Sequence, residues 1–282
     1  MLFKMILYFP WLYRQHLPMS TPKTHTISKQ ELQSTSHQKA ISFSEREQEV
    51  YRKAVSALTR SSLPFALGGA IALNAYTGLW RGTKDIDIFI SHRDVEQATK
   101  ALEEAGFTIK VEFTHWLIKA YIDDLFIDLI FGNDNGELVI EREHIKGGSC
   151  IDFLGYKVSI LSPEEIIASK CFVAVRHRFD GHDIAHIILA LQGNIDWNKV
   201  IDRLGRHRAL LLWHLILFSY VYPGYRHLIP KDIMWSLIQE LFETQDESKA
   251  CNGVFIDPFS YNVDVESWGL IDCRKIKIAR NI

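Results

Sequence analysis

FALGGAIALNAYTGLWRGTKDIDIFI, residues 65–90, is the stretch that decides how this chain folds. Phe65-Ala66-Leu67 is a short apolar run that stops at Gly68-Gly69, which reads as a buried strand running into a tight turn. Ala70–Leu79 has helical character. Lys84–Ile90, KDIDIFI, alternates acidic and apolar residues, the pattern of a half-buried strand. On a strand, residues i and i+2 share a face. Asp85 and Asp87 therefore project together, while Ile86 and Ile88 turn into the core.

Two carboxylates on one face repel each other unless a cation lies between them. Hard oxygen ligands of this kind suit Mg2+ or Mn2+. The two-glycine turn lets backbone N–H groups come close to phosphate, and the N-terminus of the helix behind it favours an anion. A phosphate cradle beside metal-binding carboxylates is a constellation for phosphoryl or nucleotidyl transfer. A third acid belongs on a neighbouring strand, and Asp128 in LFIDLIF, residues 125–131, fits. It is a lone charge in an apolar strand, where an unpaired carboxylate is costly. In two-metal catalysis such an acid binds the ion that activates the attacking hydroxyl.

Outward from this stretch, Ser44-Glu45-Arg46-Glu47 reads as a capping box opening a helix to about Arg60. Val95–Ala105 reads as a helix closed by Gly106. Phe107–Val111, Trp116–Ile122 and Leu125–Phe131 read as strands, the last two joined through Asp123-Asp124 as a hairpin turn. Phe153–Ile160 reads as a strand pair around Gly155. Ser162 then caps a helix with Pro163 at its first position and Glu164-Glu165 in its first turn. From there helical periodicity runs to about Phe242, broken at Asp180-Gly181, Gly193-Asn194, Gly205 and Pro223-Gly224. Trp213, His214, Phe218, Tyr220, Tyr222 and Tyr225 read as core aromatics of this region. The tail from Cys251 is aperiodic and ends basic. The expected class is α+β: a small mixed sheet flanked by helices (43–161), then an all-helical module with an irregular tail (162–282), preceded by a flexible polar lead-in (1–42).

Composition sets the outer bounds. Lys plus Arg number 32 and Asp plus Glu 34 in 282 residues, so there is no whole-molecule basic field for nonspecific nucleic-acid binding. The four cysteines are scattered without a C-x-x-C pair, which fits a reducing, cytoplasmic setting and not a disulfide or Cys-rich zinc framework. The apolar start, Met1–Tyr13, lacks a small-residue cleavage site and falls short of the about 20 residues a membrane span needs.

Together, GGAIALNAYTGLWRGTKDIDIFI resembles the nucleotidyltransferase superfamily of the DNA polymerase β type. It is most similar to bacterial nucleotidyltransferase family proteins and to abortive-infection type toxins. Those carry an Arg-x-Thr-x-Asp-x-Asp pattern matched here by Arg81, Thr83, Asp85 and Asp87. The resemblance covers about 60–185. In the helical half, Lys170, Arg178 and Asp183 match the family's Lys, Arg and Asp more loosely. The resemblance implies transfer of a nucleoside monophosphate from an NTP such as ATP to a hydroxyl, with release of pyrophosphate. Asp85 and Asp87 would bind both metals and Asp128 one. Gly68 and Gly69 would hold the triphosphate, with Arg81, Thr83 and Lys170 beside the nucleotide. The acceptor class, small molecule, protein or RNA, is left open, as is a partner protein.

Each motif also has a plainer reading. Gly-Gly alone is a turn, and Asp-x-Asp alone is an exposed strand end. Arg81 and Thr83 fit a turn cap equally well, and Lys170 fits a solvated helix face. His182 and His186 stand at metal-ligand spacing, but no further ligand motif surrounds them. Two functional alternatives remain: a non-catalytic nucleotide-binding regulator, and the toxin of a two-gene module. The presence of all three carboxylates speaks against the first.

Overall fold

The computed structural model describes residues 41–243 and 249–274. The lead-in to residue 40, with Met1–Tyr13, and the basic tail beyond Arg274 lie outside the described residues. In chain order the elements are α1 (Glu45–Arg60), β1 (Phe65–Leu67), α2 (Gly69–Thr77), β2 (Asp87–Ile90), α3 (Val95–Glu104), β3 (Thr108–Phe113), β4 (Leu117–Ile122), β5 (Leu125–Ile130), α4 (Arg142–Lys146), β6 (Cys150–Phe153) and β7 (Tyr156–Ile160). There follow α5 (Pro163–Lys170), β8 (Ala174–Val175), β9 (Arg178–Phe179), α6 (Gly181–Ala190), α7 (Trp197–Leu204), α8 (Arg208–Val221) and α9 (Lys231–Glu243). The described chain closes with β10 (Ala250–Cys251), α10 (Pro258–Trp268) and β11 (Ile271–Asp272).

Seven strands form one mixed sheet in the order β3-β4-β5-β2-β1-β7-β6. Ile86, Ile88 and Ile90 alternate into the core, as do Ile127 and Leu129 on β5. Against them pack fully buried side chains of α1 and α3, among them Tyr51, Leu58 and Leu102. The capping box at Ser44–Glu47 forms as expected. So does the α5 cap, with Ser162 accepting from the Glu165 N–H and Pro163 in the first turn. The class is the expected α+β, a mixed sheet flanked by helices.

Two pairings join strands that lie far apart in the chain. β1 and β7 run parallel, with Leu67 opposite Ile160. The C-terminal ends of both strands therefore lie side by side, and each feeds a helix: Gly68-Gly69 opens α2, and Ser162 opens α5. Hydrogen bonds from the Leu161 N–H to the Leu67 carbonyl (2.9 Å) and from the Tyr76 hydroxyl to the Leu161 carbonyl (2.9 Å) fasten these strand-to-helix junctions to each other. β2 and β5 also run parallel, with Asp87 opposite Asp128.

Several expectations need correction. α2 ends at Thr77, two residues early, because Gly78 turns left-handed at φ 72°. β2 starts at Asp87 and not at Lys84. Its partner β1 pairs only as far as Leu67 opposite Ile88 before the chain turns off at Gly68, so residues 84–86 have no ladder on that side. The helical half also holds the short β8–β9 hairpin. The stretch after Cys251, expected to be aperiodic, forms α10, capped by Asp257 with Pro258 at its start. Of the aromatics read as core, His214 and Phe218 are buried, whereas Trp213 and Tyr220 are exposed. No helix among the described residues is long and apolar enough to cross a membrane.

Candidate active site

The site is built at the ends of β1, β2 and β5. Gly68 caps α2 and donates its N–H to the Asp87 carbonyl at 2.9 Å. Gly69 sits at φ +48°, and a Cβ there would meet Asp87 Oδ2 at 1.7 Å. A Cβ on Gly68 would enter the Phe89 ring, 2.2 Å from Cε2. Both glycines are thus required by close approach, and Gly69 by backbone conformation as well. A valine at Gly69 would be tolerable only at negative φ. The angle is positive, so that substitution is strained before any phosphate is considered.

Asp87 and Asp128 lie on one sheet face by their parallel register. Asp85 precedes them on the approach to β2, where the Thr83 hydroxyl donates to its carbonyl (3.0 Å) and to its Oδ1 (3.1 Å). Burial, and then the charges of Asp85 and Asp128, push the Asp87 carboxyl up to about 7. Asp128 is also raised, by burial first, against the opposing hydrogen bond and charge of Lys119. Lys119 lies opposite Asp128 across the β4–β5 hairpin and holds its Oδ1 at 2.5 Å.

Lys119 was not singled out from sequence, yet the signal was there. A hairpin turning at Asp123-Asp124 pairs residues whose numbers share a constant sum, and Lys119 is the partner of Asp128 on that count. Asp180 was read only as a break. It is a buried carboxylate at the start of α6 that turns away from the helix toward two cations. Lys170 Nζ reaches Asp180 Oδ2 and Asp183 Oδ2, each at 2.7 Å. Arg178 adds two parallel bonds to Asp180, at 3.1 and 3.0 Å. Burial would raise the Asp180 carboxyl, but the bonds from Arg178 and the charge of Lys170 hold it below the ordinary carboxylate value.

Arg81 leaves the turn before β2 and crosses to α6, pairing with Asp183 and with His182 Nε2. The expected residues, joined by Asp180, therefore divide into two groups. Gly68, Gly69, Thr83, Asp85, Asp87 and Asp128 belong to the sheet end. Lys170, Arg178, Asp180, Asp183 and Arg81 form an ionic network against it. The charges of Lys170 and Arg178 act on Asp87 and pull against its raised value. His182 and His186 have ring centroids 6.0 Å apart. Among the described residues no group of three or more His, Cys, Asp or Glu side chains is arranged to hold a metal ion.

The sequence profile of a family described as "Uncharacterised nucleotidyltransferase" matches residues 52–220, which span the sheet, the ionic network and most of the helical half. No curated protein matches in sequence. Solved structures show more distant likenesses. The antibiotic-resistance factor ANT(2'')-Ia is 22% identical, with 61% of this chain and 97% of that one covered and a TM-score of 0.42. The lincosamide antibiotic adenylyltransferase LnuA is 18% identical, with 52% and 98% covered and a TM-score of 0.37. An antigenic nucleotidyltransferase-like protein from Paracoccidioides brasiliensis is 17% identical, with 65% and 94% covered and a TM-score of 0.43. The family match covers more than half of the chain, and on it this protein belongs to the nucleotidyltransferases of that family.

Proposed function

We propose that the chain transfers a nucleoside monophosphate from an NTP to an acceptor hydroxyl, with release of pyrophosphate, using Mg2+ or Mn2+. The observation that carries this reading is the register of Asp87 with Asp128, beside Asp85 and the Gly68-Gly69 turn. Burial first, and then the charges of Asp85 and Asp128, keep Asp87 protonated to about neutral pH, and a divalent cation would oppose both effects. Asp85, Asp87 and Asp128 would be its donors; as they stand they are not grouped to hold an ion, so binding would have to draw their carboxylates together. Bound there, the metal would supply charge neutralisation and a more acidic attacking hydroxyl.

The other parts are contributed by the chain itself. Gly68 and Gly69 leave the N-terminal N–H groups of α2 free of any Cβ, where triphosphate is favoured by the helix dipole. Thr83 orients Asp85. Lys170 and Arg178 place two positive charges on the side of Asp87 facing the helical half, and Arg81 ties that half to the turn before β2. In this reading Lys170 and Arg178 hold the triphosphate in place, and opposing the charge that develops falls to the metal.

The test is incubation with each α-phosphate-labelled NTP, Mg2+ or Mn2+, and total cell extract. Label should move to one acceptor class, protein, RNA or small solute, and the double variant Asp85→Asn/Asp87→Asn should transfer none. Full activity in the double variant, or no transfer by the native protein with any NTP, sinks the reading.

A further inference from the structure

The β8–β9 hairpin is too small to hold itself. Each strand has two residues, Ala174 opposite Phe179 and Val175 opposite Arg178. Even a longer isolated hairpin is marginal in water. Its base is closed by the Asp180 N–H on the Val173 carbonyl at 3.0 Å. Phe179 lies over Gly181 and against the rings of Trp213 and His214. The exposed turn at Arg176-His177 is held from elsewhere. Buried Asp257, at the start of α10, accepts the Arg176 N–H on Oδ2 at 3.2 Å.

Asp257 is itself fixed. It caps α10 through the Ser260 N–H (3.2 Å) and takes the Ser260 hydroxyl at 2.6 Å. Just before it, buried Phe255 packs on His207, lies under Arg206 and accepts Asn135 Nδ2 on its carbonyl at 2.8 Å. This anchor, residues 250–274, lies wholly outside the family match at 52–220. The hairpin arm it holds carries Arg178, whose guanidinium is bonded to Asp180 and lies within the field of Asp85 and Asp87.

We infer that Asp257 is a positioning residue for nucleotide binding: by holding the Arg176 N–H it fixes the hairpin so that Arg178 meets the triphosphate. The inference rests on the function proposed above. An interaction of Arg178 with phosphate that is equal in ground and transition states acts on KM and leaves kcat unchanged.

Asp257→Ala should raise the KM for NTP about tenfold at constant kcat, the fold-change of one weakened charged hydrogen bond. Hydrogen exchange across residues 174–179 should rise in the same variant. Asp257→Asn has one accepting oxygen, enough for the Arg176 N–H but not also for the Ser260 N–H, and should raise KM less than Asp257→Ala. Ser260→Ala weakens the cap but leaves the Arg176 bond, and should leave KM unchanged. In an Arg178→Ala background, Asp257→Ala should have no further effect on KM. If Asp257→Ala loses its fold, Asp257→Ser takes its place, since it can still cap the helix on a side chain too short for Arg176. An unchanged KM in the Asp257 variant, an equal rise in Ser260→Ala, or a full tenfold effect persisting without Arg178 overturns the inference alone. A native protein that binds no NTP overturns the proposed function with it.

Discussion

Asp87 and Asp128 stand opposite each other on parallel strands that the chain joins only after a helix and two further strands. Their shared face turns two ordinary carboxylates into a site, because each is desolvated by the sheet and Asp87 meets the charge of two neighbours.

The first consequence is a pH dependence of stability in metal-free protein. The Asp87 carboxyl is raised to about 7 in the folded state, from about 3.9 in an unfolded chain. Below the unfolded value both states are protonated and nothing is lost. Between the two values the unfolded state ionises first, so stability falls as pH rises, and above the folded value the penalty is constant. Asp87→Asn should therefore melt higher than the native protein at pH 8 in EDTA, with the gap closing toward pH 4. A gap independent of pH would remove Asp87 as its cause.

Metal should act on the same group. Mg2+ or Mn2+ should raise the melting temperature of the native protein, and more at pH 8 than at pH 5.5, because binding must displace the Asp87 proton. Asp85→Asn/Asp87→Asn should lose the response. An equal metal response in that variant would place any bound ion elsewhere.

Lys119 and Asp128 form a largely buried pair at 2.5 Å. Lys119→Met should destabilise the protein by about 3 kcal/mol at pH 8, since it leaves a buried carboxylate without its cation. The loss should shrink below pH 4, where Asp128 is protonated in folded and unfolded chains alike. Denaturant titrations at the two pH values check this, and equal losses would show a packing effect instead.

Gly69→Ala should cost about 1–3 kcal/mol, because a non-glycine residue is strained at positive φ and its Cβ must displace the Asp87 carboxylate. NTP affinity should fall with it. Gly82→Ala, where an added Cβ meets nothing within 4 Å, is the control and should change neither. Native-like NTP binding by Gly69→Ala would take the glycine turn out of the phosphate site.

Local physics was legible in the chain. Alternation in KDIDIFI marked Ile86, Ile88 and Ile90 as core, the Ser44 box and the Ser162-Pro163 start marked where helices begin, and Asp123-Asp124 marked a hairpin. That hairpin even carried the pairing of Lys119 with Asp128. Where local signals compete with neighbours, sequence and structure part. Residues 84–86 have strand alternation but no ladder on the β1 side, because β1 ends at Leu67 and the chain turns off at Gly68.

The rest depended on contacts between distant parts of the chain. Nothing near Gly68 says that β7 will lie beside β1 and deliver α5 to the same edge. Nothing near Lys170 says that its charge will be taken by Asp180 and Asp183 and not by solvent. Nor does Arg176 show that Asp257 will hold its N–H. Periodicity and capping are properties of a few adjacent residues, so sequence determined most of the helices and strands and the glycine turn. Register between non-adjacent strands, and the partner each buried charge finds, are set by how those elements pack. Only the tertiary structure decided them.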